Sequence, residues 1–95
     1  MAVGDVVSAV NSVLTVAFLD IQPGAGVEWV IHNIYHEADV TVEYFDGTNS
    51  VVFYTGTVAG ALTKHAFHVN NTRRVRVKNT NAATKLIAYD GIITK

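Results

Sequence analysis

The stretch Val40-Thr41-Val42-Glu43-Tyr44-Phe45-Asp46-Gly47-Thr48-Asn49-Ser50-Val51-Val52-Phe53-Tyr54 decides the fold class. Its first arm alternates apolar and polar residues at the two-residue period of a strand with one face on a core. Asp46-Gly47 then supplies a glycine, for which φ > 0 is cheap, and an aspartate able to bond to nearby backbone. Ser50 to Tyr54 returns as the second arm, so the segment predicts an antiparallel hairpin. Ile87-Ala88-Tyr89-Asp90-Gly91 ends in the same way and, on the same reasoning, predicts a second reversal at Asp90-Gly91.

Outward from the hairpin the pattern stays β. Val27 to Tyr35 is apolar on both faces, which predicts a central strand or a bulge that swaps faces near His32 or Asn33. Val6 to Phe18 has apolar residues at helical spacing, yet its valines and hydroxyl residues favour strands, so two are expected near 6–10 and 12–19. Pro23-Gly24-Ala25-Gly26 and Asn70-Asn71-Thr72 predict turns, and Thr55 to Thr63 reads as a surface loop. Lys64 to Val69, Arg73 to Lys78 and Lys85 to Tyr89 with Ile92-Ile93 complete a set of about eight strands. Such a set fits a β-sandwich or a small barrel. The apolar segments 6–19 and 27–35 are expected to supply core or subunit interface.

The chain of 95 residues has room for one domain, spanning 1–95, with one core. It is 49% hydrophobic but only 16% charged, against a usual charged fraction of about 25%. A small domain with so few charges invites a partner over some of its apolar surface. The net charge of −1 argues against long-range attraction to nucleic acid or an anionic membrane. Cysteine is absent, which removes disulfides, thiolate metal sites and cysteine nucleophiles. No apolar run reaches the roughly 20 residues of a membrane-spanning helix. The start Met1-Ala2-Val3-Gly4-Asp5 lacks a basic secretory leader, and the expectation is a soluble product of a cytoplasm.

Chemistry-bearing residues are sparse. On a regular strand His32 and His36 would share a face, with Glu37 nearby, which is the minimum of a two-histidine-plus-carboxylate metal site. The strand end expected between them, and His65 and His68 on opposite faces, favour polar strand-end roles or a subunit contact, so no metal or cofactor is expected. Asp46 and Asp90 have a sufficient reason to exist as turn residues, and Glu37 and Asp39 flank a strand start. No catalytic residue is assigned and no enzyme is expected. Trp29, Tyr35, Tyr44, Tyr54 and Tyr89 could stack on sugars but read more simply as core packing. Arg74, Arg76 and Lys78 form an outward basic ladder. Its in-between residues are Val75 and Val77, not base-stacking aromatics, which leaves a solvated face or a protein contact.

Taken together, Leu19-Asp20-Ile21-Gln22-Pro23, Val27-Glu28-Trp29-Val30-Ile31-His32-Asn33-Ile34-Tyr35, Tyr44-Phe45-Asp46-Gly47-Thr48-Asn49, Phe67-His68-Val69-Asn70-Asn71-Thr72, Val75-Arg76-Val77-Lys78-Asn79-Thr80 and Tyr89-Asp90-Gly91 resemble small β-rich virion proteins of tailed bacteriophages. The resemblance spans about residues 19 to 93. It implies an all-β, antiparallel sandwich of jelly-roll type, working as a decoration or cement protein on the capsid surface. It further implies a dimer or trimer bound to the major capsid protein, and the near-neutral charge already leads us to expect no membrane or nucleic-acid partner. Arg74, Arg76 and Lys78 are the expected protein-contact residues. The alternative is a tail- or fibre-associated module that binds a host-surface glycan.

Overall fold

The computed structural model describes residues 2–95. Met1, with which the single-domain reading and the reading of the amino-terminal segment begin, lies outside the described residues. The chain forms strands β1 (Val6–Val13), β2 (Phe18–Ile21), β3 (Trp29–His36), β4 (Val40–Phe45), β5 (Ser50–Gly56), β6 (Gly60–Leu62), β7 (Phe67–Val69), β8 (Arg74–Asn79) and β9 (Lys85–Ile93). They make two antiparallel sheets. One has the order β1-β9-β3 with β6 and β7 both on the far edge of β3; the other has the order β2-β8-β4-β5. With β6 and β7 counted as the halves of one interrupted strand, this order is the eight-stranded jelly roll that the resemblance implied.

The core is built as the valine pattern of the sequence requires. Ile21, Ile31, Ile34, Val40, Val42, Val75, Val77 and Ile87 are completely buried between the sheets, each worth about 1.5–3 kcal/mol relative to an exposed side chain. Trp29, Tyr44, Tyr54 and Tyr89 pack around them, in line with the core reading, whereas Tyr35 points outward. Segment 27–35 serves the core as expected, through Val30, Ile31 and Ile34. Segment 6–19 divides: Val7 and Val13 are buried, while Val6, Val10, Leu14, Val16 and Phe18 are exposed.

The amino-terminal segment is strand rather than helix, but its break lies at 14–17 instead of near residue 11. Asn11 and Ser12 continue the ladder opposite Ile87 and Leu86. The chain leaves the sheet only where Ala17 N–H donates to Leu14 O and Val16 takes φ 56°. Buried Asn79 pins this crossing, its Nδ2 donating to Val13 O at 2.8 Å. The expected turns at Asp46-Gly47 and Asn70-Asn71-Thr72 are present. Asp46 Oδ1 accepts the Thr48 and Asn49 amides, and Asn70 Oδ1 accepts those of Thr72 and Arg73.

Two strand expectations fail for one reason. The bulge foreseen in β3 falls at His32, where the register with β9 jumps from Ile31 opposite Gly91 to Asn33 opposite Asp90. The neighbouring edge strand cannot follow this kink. It pairs as β6 with residues 34–36 and as β7 with residues 29–31. Between them Lys64 adopts φ 61°, and its amide donates to Asn33 Oδ1 at 3.2 Å. Thr55 to Thr63 is therefore not wholly loop, since β5 runs to Gly56 and Gly60–Leu62 is strand; the strand expected over Lys64 to Val69 is confined to Phe67–Val69.

The Asp90-Gly91 reversal is also overturned, because both residues lie within β9. Gly91 is a glycine for closeness, not for turning: a Cβ there would stand 2.1 Å from Val30 O and 2.8 Å from Ile31 Cα. Gly91→Ala is expected to cost roughly 3 kcal/mol or more in urea denaturation, because the clash is with backbone. Gly24→Ala, which meets nothing within 4 Å, should change stability by no more than about 0.5 kcal/mol.

A pH dependence follows from the hairpin. Amides of Asn49 and Thr48 hold the Asp46 carboxyl below its ordinary range. A depressed folded value gives stability that is present above the unfolded value and lost as pH falls through the folded one. The stability gap between wild type and Asp46→Ala should hold from neutral pH down to about pH 4, then shrink with further acidification in parallel denaturation series.

Candidate functional site

The two outward sheet faces and the sandwich margins present every side chain available for contact. On the β2-β8-β4-β5 face, Arg74, Arg76 and Lys78 point outward as expected, alternating with buried Val75 and Val77. The neighbouring strands add what the local sequence did not show. β2 sets Phe18 opposite Lys78 and Asp20 opposite Arg76, while β4 sets Glu43 opposite Arg76 and Phe45 opposite Arg74. Arg76 Nε lies 2.9 Å from Asp20 Oδ1, Arg74 Nε 3.2 Å from the same oxygen, and Arg76 Nη1 3.8 Å from Glu43 Oε1. The Arg76 guanidinium sits 4.0 Å from the Phe18 ring centre and that of Arg74 4.6 Å from Phe45. Arg74 and Arg76 are thus matched by carboxylates and lie over aromatic rings, while Lys78 has its Nζ 5.5 Å from the Phe18 ring centre. Partial exposure limits each ion pair to about 0.2–1 kcal/mol.

On the opposite face, the bulge of β3 and the close passage of Gly91 bring Asn33, Tyr35 and Asp90 together. Asn33 Nδ2 donates to Asp90 Oδ1 at 2.7 Å, and Tyr35 OH donates to Oδ2 at 2.8 Å. The hydrogen bond to Asp90, reinforced by desolvation and by the carboxylate's charge, raises the Tyr35 phenol above its ordinary value. Tyr35 and Asp90 of this trio border a shallow depression of about 330 Å³, lined also by Ser8, Val10 and Ala88. It can accept hydrogen bonds and offer apolar contact. Sequence reasoning missed it because Asp90 read as a turn residue; only the cross-strand register reveals its partners.

The bulge also dissolves the histidine pairing. His36 is turned inward and buried, with Nε2 3.0 Å from Tyr54 OH and Nδ1 2.9 Å from Glu37 O. Gly56 leaves room for this ring, since a Cβ there would meet His36 Cε1 at 2.7 Å. Glu37 accepts the Leu86 amide at 2.7 Å and so ties a loop to β9, and Asp39 accepts from Asn81 Nδ2 at 2.6 Å and so ties two loops together. Among the described residues no three histidine or acidic side chains are grouped to hold a metal ion.

Exposed apolar side chains gather at two margins. Val6 and Val10 of β1 are each 71% exposed, with Leu14 and Val16 just beyond. On edge strand β5 the consecutive residues Val51, Val52 and Phe53 are 64%, 55% and 43% exposed. Phe53 is the residue inserted where β5 slips its register on β4. In comparison with known proteins, no family model matches the chain and no curated protein matches it.

A double-mutant cycle tests the ladder. Asp20→Ala and Arg76→Ala should show a coupling of about 0.5–1 kcal/mol in low salt that fades at high salt. Additive losses would mean that the pair stabilises nothing.

Proposed function

We propose that this chain is a structural protein of a bacteriophage virion, a decoration or cement protein that binds the outer capsid surface and stabilises the head. The observation that carries the reading is the run Val51-Val52-Phe53. Three consecutive apolar side chains are exposed there on an uncharged edge strand. Phe53 rests on Phe67 of its own chain, with ring centres 5.5 Å apart, and the run as a whole suits an apolar protein partner. The resemblance to small phage virion proteins and the jelly-roll topology support the same reading. Many copies on one lattice would sum modest single contacts into firm attachment. Arg74 and Arg76 are already paired within the chain, which points to the β5 margin rather than the ladder as the main contact, with Lys78 at its periphery. The glycan-binding alternative draws support from one feature, the depression beside Tyr35 and Asp90.

The test uses heads of the encoding phage assembled without this protein. Purified protein should bind them to a saturating copy number in co-sedimentation, with little loss between low and high salt. Val52→Asp, at an exposed position, should keep the wild-type circular dichroism yet weaken binding by roughly tenfold or more. Failure to bind heads, or full binding by Val52→Asp, would contradict the reading. Binding to host-surface polysaccharide instead would favour the alternative.

A further inference from the structure

The jelly roll has four sheet edges, and three of them carry devices that deter pairing with another chain. β2 is only four residues long and bears Asp20. β5 is bulged at Phe53. The edge made of β6 and β7 is interrupted around Lys64. β1 has none of these. It is eight residues long, without charge, proline or glycine, and pairs with β9 in unbroken register from Val6 opposite Ile92 to Val13 opposite Lys85. Among the described residues its other side pairs with no strand, and its bond beyond β9 runs from Asn79 Nδ2 to Val13 O.

The residue order along this edge is self-complementary. Read in both directions from Val10, Ala9 answers Asn11, Ser8 answers Ser12, Val7 answers Val13 and Val6 answers Leu14. In antiparallel pairing, directly opposed residues face the same side of the sheet, and matched pairs of this kind stabilise the seam. A second copy brought up antiparallel would therefore set valine against valine and serine against serine, with no charges opposed. Val6 and Val10, each 71% exposed in the single chain, would meet apolar neighbours across the seam.

We propose that β1 is a homodimer edge. Two copies pair antiparallel about a twofold axis through Val10, perpendicular to the sheet, and join their β1-β9-β3 sheets into one. The contact is isologous, so it closes at two copies and does not propagate into a fibre. It does not rest on the capsid reading: a dimer that ignores phage heads leaves it standing.

Because Val10 would face its own symmetry mate, charge placed there tests axis and register together. Size-exclusion chromatography with light scattering should give a dimer for the wild-type chain. Val10→Lys alone and Val10→Glu alone should be folded by circular dichroism and monomeric, their dimer dissociation constants raised roughly tenfold or more. An equimolar mixture of the two should regain the dimer at low salt, where lysine meets glutamate. Val58→Lys, an equally exposed valine in the β5–β6 loop, should stay dimeric. A monomeric wild type, a dimeric Val10→Lys, or a mixture that stays monomeric would overturn the proposal.

Discussion

The close passage of β9 against β3 at Gly91 is the constraint from which the rest of the sandwich follows. Val30 O occupies the space where any side chain at position 91 would begin. At this crossing β3 inserts His32, and its register on β9 shifts by one residue. The next strand outward must break into β6 and β7, with Lys64 in a left-handed conformation at the gap. The same shift turns Ile34 and His36 inward and sets Asn33 beside Asp90. One glycine thus links core packing, the interrupted edge and the polar cluster of the outer face.

The all-β class, the β4–β5 hairpin, the Asn70 turn and the inward valines of β8 were legible in the sequence. Each rests on local signals: alternation within one strand, or an Asx residue bonding to amides two and three positions ahead. The bulge near His32 was legible as well, because apolar residues on both faces of Val27 to Tyr35 require either double burial or a change of face. What misled was Asp90-Gly91. The same dipeptide that turns at Asp46-Gly47, where Gly47 has φ 101°, runs straight in β9. A glycine chosen for φ and one chosen for close approach look alike in one dimension. The short β6 was hidden similarly, since Gly60-Ala61-Leu62 has no strand pattern and is held by the free edge of β3.

The candidate contacts were legible in part. The outward direction of Arg74, Arg76 and Lys78 followed from alternation, but their partners Asp20, Glu43, Phe18 and Phe45 lie on strands remote in sequence. Those partners change the ladder's meaning from a free charged strip to an internally matched surface. The apolar margins, by contrast, are where the low charged fraction of the chain finds its structural expression. β1 and β5 both lack charges, and their exposed valines and Phe53 lie on opposite edges of the molecule. A module with one self-complementary edge and one apolar edge can pair with its own kind and still hold a different partner, as the proposed decoration role calls for.

Electron cryomicroscopy of phage heads mixed with the purified protein tests this proposed division of labour most directly. The predicted map shows paired jelly rolls astride twofold axes of the shell, with β1 at the axis and Val51, Val52 and Phe53 against the capsid. Bare shells, or single copies that meet the capsid through another face, would contradict it.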